Sequence, residues 1–132
     1  HRSDRQLAIL LAEDNRLNRK VAAALLEKMG HHVDAVENGA RAVEAVEHGR
    51  YDLVLMDCEM PEMDGYDATR AIRALPYHGN LPIVAMTAYA MPEDRQRCLD
   101  AGMNDYVSKP ISVQRLRRVV ERLDVRPAAD AA

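Results

Sequence analysis

The chain has 132 residues, enough for one domain with its own core. It is 48% hydrophobic and 30% charged with a formal net charge of −3, which gives no general pull toward nucleic acid or an anionic membrane. Its two cysteines lack metal-type spacing and are too few for a disulfide framework, no apolar run approaches bilayer-spanning length, and no signal peptide is visible, so a cytoplasmic setting is expected. The first residue is His1, not Met, so the chain reads as a piece of something longer.

Residues 1–6 are polar and read as a loose tail. Leu7-Ala8-Ile9-Leu10-Leu11-Ala12 is a short apolar run, too short for a helix, and reads as a strand buried on both faces. Glu13-Asp14-Asn15 follows, with Asp14 or Asn15 placed to cap a helix that runs to about Met29 and stops at Gly30. The spacing of Leu17, Val21, Ala24 and Leu25 predicts its inward stripe. Val33 to Val36 reads as a second strand, and Ala42, Val43 and Val46 as the inner face of a second helix ending at Gly49.

Leu53-Val54-Leu55-Met56 is an unbroken apolar run that ends on a carboxylate, Asp57. Pro61 breaks the chain and Asp64-Gly65 turns it into a third helix, with Ala68, Ala71, Ile72 and Leu75 inward. Pro82 to Met86 is a fourth strand ending at Thr87. Pro92-Glu93-Asp94 fits a helix first turn, with proline where it is tolerated and acids near the positive end. This fourth helix is short and polar and ends at Gly102. Asp105 to Ser108 is a brief last strand, followed by Lys109-Pro110 and a helix with Val113, Leu116, Val120 and Leu123 inward. Residues 125–132 read as a tail or linker stub, which leaves 7–124 as one domain. Alternating strands and helices with short links predict βαβ units on a parallel sheet.

Chemistry in such sheets sits outside the carboxyl ends of the strands. Here the first strand ends in Glu13 and Asp14, the third in Asp57, the fourth in Thr87 and the fifth in Lys109. Two carboxylates about 4 Å apart repel by roughly 4 kcal/mol at an effective dielectric near 20. Three clustered acids need more counter-charge than one of the chain's three lysines supplies. A hard divalent cation such as Mg²⁺ takes oxygen ligands and leaves positions open for phosphate oxygens. An ionised carboxylate is also a nucleophile that can form an aspartyl phosphate, a reaction that asks mainly for in-line positioning and charge neutralisation.

Glu13-Asp14-Asn15, Asp57 with Met60-Pro61 and Met63-Asp64-Gly65, Thr87-Ala88, and Asp105-Tyr106 with Ser108-Lys109-Pro110 together resemble the receiver domain of two-component response regulators, from Leu7 to Leu123. With Asn18, Gly30-His31 and Asn38-Gly39 added, the chain looks most like receivers attached to hybrid sensor histidine kinases. The resemblance implies a flavodoxin-like (βα)5 fold of five parallel strands in order 2-1-3-4-5. It implies that Asp57 accepts phosphate from the phosphohistidine of a histidine kinase or histidine phosphotransfer domain. It implies that Asp14, Asp57 and the backbone carbonyl of Glu59 hold Mg²⁺, with Glu13 acting directly or through water. Lys109 would contact the phosphoryl oxygens, Lys109-Pro110 would be a cis bond, and Thr87 and Tyr106 would form a switch.

Other readings stand beside these. A phosphatase of the haloacid dehalogenase type would also use an Asp nucleophile, Mg²⁺, Thr and Lys, with its nucleophile on the first strand and its acid pair late in the chain. Asn18 reads as half-buried, and the Met60-Pro61-Glu62-Met63 loop as an exposed docking surface. Arg115, Arg117, Arg118 and Arg122 read as a solvated helix face, so no nucleic-acid binding and no membrane contact are expected. Cys58, beside Asp57, reads as a small buried or half-buried thiol, with a redox sensor as the less favoured alternative.

Overall fold

The computed structural model describes residues 6–88 and 91–125. Of the tails expected at residues 1–6 and 125–132, residues 1–5 and 126–132 lie outside the described residues, as does part of the loop after Thr87; Val125, expected in the C-terminal tail, is buried in the core instead. The elements alternate without exception: β1 (Ala8–Ala12), α1 (Arg16–Lys28), β2 (His32–Val36), α2 (Gly39–His48), β3 (Leu53–Asp57), α3 (Gly65–Ala74), β4 (Ile83–Thr87), α4 (Pro92–Ala101), β5 (Asp105–Ser108) and α5 (Val113–Arg122). The strands form one parallel sheet in the order β2-β1-β3-β4-β5. This is the flavodoxin-like order that the resemblance implies.

Strand periodicity divides the core into two layers. Leu10, Ala12, Val54, Met56, Ile83 and Ala85 face one way, against Ala42 and Val46 of α2, Ala68 and Ile72 of α3, and Cys98 and Ala101 of α4. Ile9, Leu11, Leu53, Leu55, Val84 and Met86 face the other way, against Ala22 and Leu26 of α1 and Leu116 and Val119 of α5. Val125 closes the end of that second layer. Both faces of the central strands are therefore apolar, which is why those strands read as unbroken runs in the sequence.

Three further expectations of the sequence need correction. The stripe predicted for α1 turns outward: Leu17 and Val21 are 69% and 59% exposed, and Ala24 is exposed too. Only Leu25 of that stripe packs against the sheet, beside Ala22, Ala23, Leu26 and Met29. Two apolar stripes share this helix, and the rotation is set where it starts. Asn15 caps it through Asn18 N–H, and Arg19 donates to the Glu13 carbonyl at 2.9 Å. Asn18 is exposed, not half-buried. Met60 is buried in the first layer and Met63 packs against it, so the loop after β3 is not an exposed methionine surface; Glu59, Pro61 and Glu62 are the residues exposed there.

Candidate functional site

The sheet order sets the site. β1 lies beside β3 with Ala12 level with Met56, so the residues just past Ala12 stand abreast of Asp57. The Glu13 N–H still donates to the Val36 carbonyl at 3.1 Å, which keeps Glu13 in strand geometry. Its side chain is buried, and its Oε2 accepts from Asn15 N–H at 3.1 Å. Asp14, one residue on, is exposed. Ligand oxygens of Glu13, Asp14 and Asp57 lie within 4.8 Å of one another.

Asp57 is the most buried carboxylate of the three, at 2% exposure. Its Oδ1 accepts from Glu59 N–H at 3.1 Å and meets the Lys109 ammonium at 3.1 Å. Lys109 Nζ also stands 3.2 Å from Glu13 Oε1, so one cation bridges two strands' acids. It reaches them because Lys109 N–H continues the ladder onto the Thr87 carbonyl at 2.8 Å. The Lys109-Pro110 peptide is cis.

The electrostatics favour a further cation. Burial pushes the Asp57 carboxyl up to about 6, helped by the Glu13 charge and opposed by Glu59 N–H and Lys109. Burial would lower Lys109, but Asp57 and Glu13 outweigh it and raise the ammonium's pKa. The single cation is thus firmly charged and still leaves Asp57 reluctant to ionise. An all-oxygen donor set with excess negative charge suits a hard divalent ion such as Mg²⁺.

Thr87 is buried at the end of β4, one residue past Met86, which is level with Asp57. Tyr106 is half-buried on β5, level with Ala85, and packs against the first core layer. It stands in the groove between α4, β5 and α5 with Arg95 and Asp105. The fold therefore unites Glu13, Asp14, Asp57 and Lys109 directly, sets Thr87 beside them, and leaves Tyr106 a strand's breadth away.

Arg73 was not singled out by the sequence. Its guanidinium donates to the carbonyls of Gly102, His78 and Leu81 and to Asn104, tying the end of α3 to the end of α4. Nothing in an amphipathic helix marks one arginine for this role. The contact between Cys58 and Cys98 was equally hidden, because sequence does not say which strand end meets which helix.

The family model described as the response regulator receiver domain matches residues 9–121. Hybrid signal transduction histidine kinase B of Dictyostelium discoideum is 48% identical over 78% of the chain. Sensor protein GacS of Pseudomonas syringae is 49% identical over 89% of it. The chain spans only 6% and 13% of those two proteins' lengths. Among solved structures, the receiver domain of a Pseudomonas aeruginosa sensor histidine kinase, with a magnesium ion in its active site cleft, is 47% identical, with a TM-score of 0.82 over 89% of this chain and 97% of that one. A chemotaxis protein of Vibrio cholerae, 24% identical with a TM-score of 0.84 over 89% of this chain and 98% of that one, shares the fold. The haloacid dehalogenase reading finds no support: the acid pair ends β1, the candidate nucleophile ends β3, and the matched family is another one.

Proposed function

The chain belongs to the response regulator receiver family, the phosphoacceptor modules of two-component signalling, and from that premise we propose that Asp57 is its phosphoacceptor. The observation that carries this is the pinning of one Asp57 oxygen: Lys109 and Glu59 N–H both engage Oδ1. Oδ2 is then the nucleophile. It attacks the phosphorus of a phosphohistidine, the N–P bond breaks, and the freed electron pair stays on the imidazole nitrogen. Burial keeps water from the carboxylate, and the Lys109 ammonium neutralises charge on the incoming phosphoryl oxygens. Mg²⁺ is the cofactor; when bound it offsets the charge of the acids and the phosphoryl group. Asp14, Asp57 and the Glu59 carbonyl would hold it, with Glu13 directly or through water.

The donor is a histidine kinase or a histidine phosphotransfer domain, and the whole protein is a hybrid histidine kinase, as the relatives' names suggest. On this reading residues 7–124 form the module, which assists its own phosphorylation and dephosphorylation but is not itself an enzyme. It works in the cytoplasm without touching nucleic acid or membrane; no helix among the described residues is long and apolar enough to cross a bilayer.

Phosphorylation adds charge and acceptor oxygens at Asp57. The Thr87 hydroxyl then turns toward the phosphate, Tyr106 moves inward, and the surface of α4, β5 and α5 changes. The reading is tested with acetyl phosphate and Mg²⁺. One phosphoryl adduct is expected by intact mass, absent in Asp57→Asn and in excess chelator. An unchanged adduct in Asp57→Asn refutes the assignment. Lys109→Ala should still accept phosphate, more slowly, while losing most of the amide shifts seen by NMR.

A further inference from the structure

Away from the acid rim, the fold brings the chain's two cysteines together. Cys58 directly follows Asp57 where the chain leaves β3, and Cys98 sits in the last turns of α4. They are 2% and 1% exposed and share one core layer. Their thiols lie within interaction range of each other and of the Tyr66 hydroxyl. The Arg97 guanidinium lies 4.0 Å from the centre of the Tyr66 ring. Cys98 also lines the groove between α4, β5 and α5, with Arg95, Leu99 and Tyr106, which gives a small solute an approach from outside. Cys58 is not among the residues that line that groove.

We propose that Cys98 and Cys58 form a redox modification site, in which a hydroperoxide oxidises Cys98 and Cys58 resolves it to an intramolecular disulfide. The Cys98 sulfur attacks a peroxide oxygen and the O–O bond breaks. Hydroxide leaves and takes a proton to become water, and Cys98 becomes a sulfenic acid. The Cys58 sulfur then attacks the Cys98 sulfur, the S–O bond breaks, and a second water leaves. Two thiols and one hydrogen peroxide give one disulfide and two waters.

Two features set this pair apart from inert core thiols. The Cys58 hydrogen bond, then Tyr66 and the Arg97 charge, lower the Cys98 thiol against the opposing effects of burial and the Asp94 charge, and Cys98 is also the thiol that borders the groove. A single buried cysteine in an apolar layer is pushed the other way. The helix that carries Cys98 is also weakly held: only Cys98 and Ala101 are buried and no side chain caps its start, so local opening admits the oxidant.

The product would join the residue beside Asp57 to α4. Resting on the receiver reading above, that bond pins the helix that phosphorylation moves. Oxidation would then leave Asp57 able to accept phosphate while suppressing the response of α4.

The fully reduced chain is treated with hydrogen peroxide at neutral pH without denaturant, alkylated, and mapped without reductant. Expected are a monomer lighter by two hydrogen atoms and a peptide pair linked through Cys58 and Cys98. In Cys58→Ser, Cys98 should accumulate as a sulfenic acid trapped by dimedone; in Cys98→Ser, Cys58 should remain a thiol. Unreacted thiols in the wild type, sulfinic acid at Cys98 without a link, or a link that forms only in denaturant overturns the site. Reversed reactivity in the two variants overturns the assignment of Cys98 as the attacking sulfur. The oxidised and reduced chains are then labelled with acetyl phosphate. Oxidation is expected to cut the amide shifts of residues 91–102 at least several-fold at equal labelling. A full shift in the oxidised chain overturns the regulatory consequence alone, whereas failure of the reduced chain to label at Asp57 overturns the receiver reading and leaves the thiol chemistry standing.

Discussion

Helices α3 and α4 have the same length, ten residues, and lie on the same face of the sheet, yet they are held very differently. α3 buries Gly65, Tyr66, Ala68, Thr69 and Ile72, and Asp64 caps it by accepting from Asp67 N–H at 2.9 Å. Its Thr69 hydroxyl donates to the Gly65 carbonyl at 2.8 Å, inside the same buried patch. α4 buries Cys98 and Ala101 and has no side-chain cap at its start. Its stop at Gly102, with φ of 106°, is the one firm end, because that conformation suits glycine. The contrast teaches where stability and responsiveness are stored. The helix behind Asp57 is part of the frame, and the neighbouring helix is held chiefly at its C-terminal end, where Arg73 of α3 bonds the Gly102 carbonyl.

The largest expected effect comes from emptying the frame. Ile72→Ala should destabilise the domain by about 2–5 kcal/mol, since a fully buried side chain leaves a cavity. Its counterpart on α4, Leu99→Ala, removes a side chain that is 44% exposed and should cost roughly 0.5 kcal/mol or less. Urea denaturation of both variants measures the gap; equal losses would erase the distinction between the helices.

Next comes the contact between α3 and the site. A Cβ on Gly65 would collide with the Asp57 carbonyl and stand 3.0 Å from the Cys58 Cα. Gly65→Ala must therefore push α3 away from β3, at a cost of about 1–3 kcal/mol for overpacking. The same shift should slow labelling of Asp57, which time-resolved intact mass would show. A stable variant that labels at the wild-type rate would mean that α3 does not position the acid.

A comparable magnitude, with a pH signature, attaches to Asp57 itself. Its pKa in the fold is raised from an ordinary 3.8 to about 6, by burial first. A raised carboxyl means that the fold prefers the protonated form. That contribution is whole below about pH 4 and is lost as pH climbs through about 6. In chelator, Asp57→Asn should flatten this dependence and be more stable than wild type at pH 7 by roughly 1–3 kcal/mol. Adding Mg²⁺ should narrow the difference. Thermal melts across pH 4–8 settle the sign.

Smaller again is the cap. Asp64→Ala should cost about 1 kcal/mol, the usual loss at an N-cap, whereas Met91→Ala at the same position of α4 removes no cap bond. The smallest energetic change carries the most information about signalling. Thr87→Val keeps the side chain's bulk while removing its hydroxyl. With acetyl phosphate it should label on Asp57 but show little amide shift in residues 91–102, against a clear shift in wild type. Residues 65–74 should stay still in both. A full shift in the variant would rule out Thr87 as the relay.

Much of this was legible in the chain order. Four-residue apolar runs that end in Asp57 or Thr87 can only be strands buried on both faces, and alternation with helices then dictates a parallel sheet. Asn15, Asn38, Asp64 and Ser112 cap four helices through local bonds, each to an N–H three residues ahead. A bond of that reach is written in the sequence itself.

Tertiary structure decided what local chemistry leaves degenerate. Leu17 and Val21 have the right spacing for a buried stripe, but α1 carries a second stripe and the sheet accepts only the one with Ala22 and Leu26. Met60 looks like loop chemistry and is core, because it packs into the layer that the sheet shares with α2, α3 and α4. The acids of β1 and β3 and the lysine after β5 are far apart in sequence; only strand order brings Lys109 to 3.1 Å from Asp57 and 3.2 Å from Glu13. The same order brings Cys98 against Cys58, a contact that neither residue's neighbours foretell. Periodicity and capping act over a few residues and are fixed by the local chain. Which stripe, strand end or thiol finds which partner is a long-range choice, made by the packing of all ten elements together.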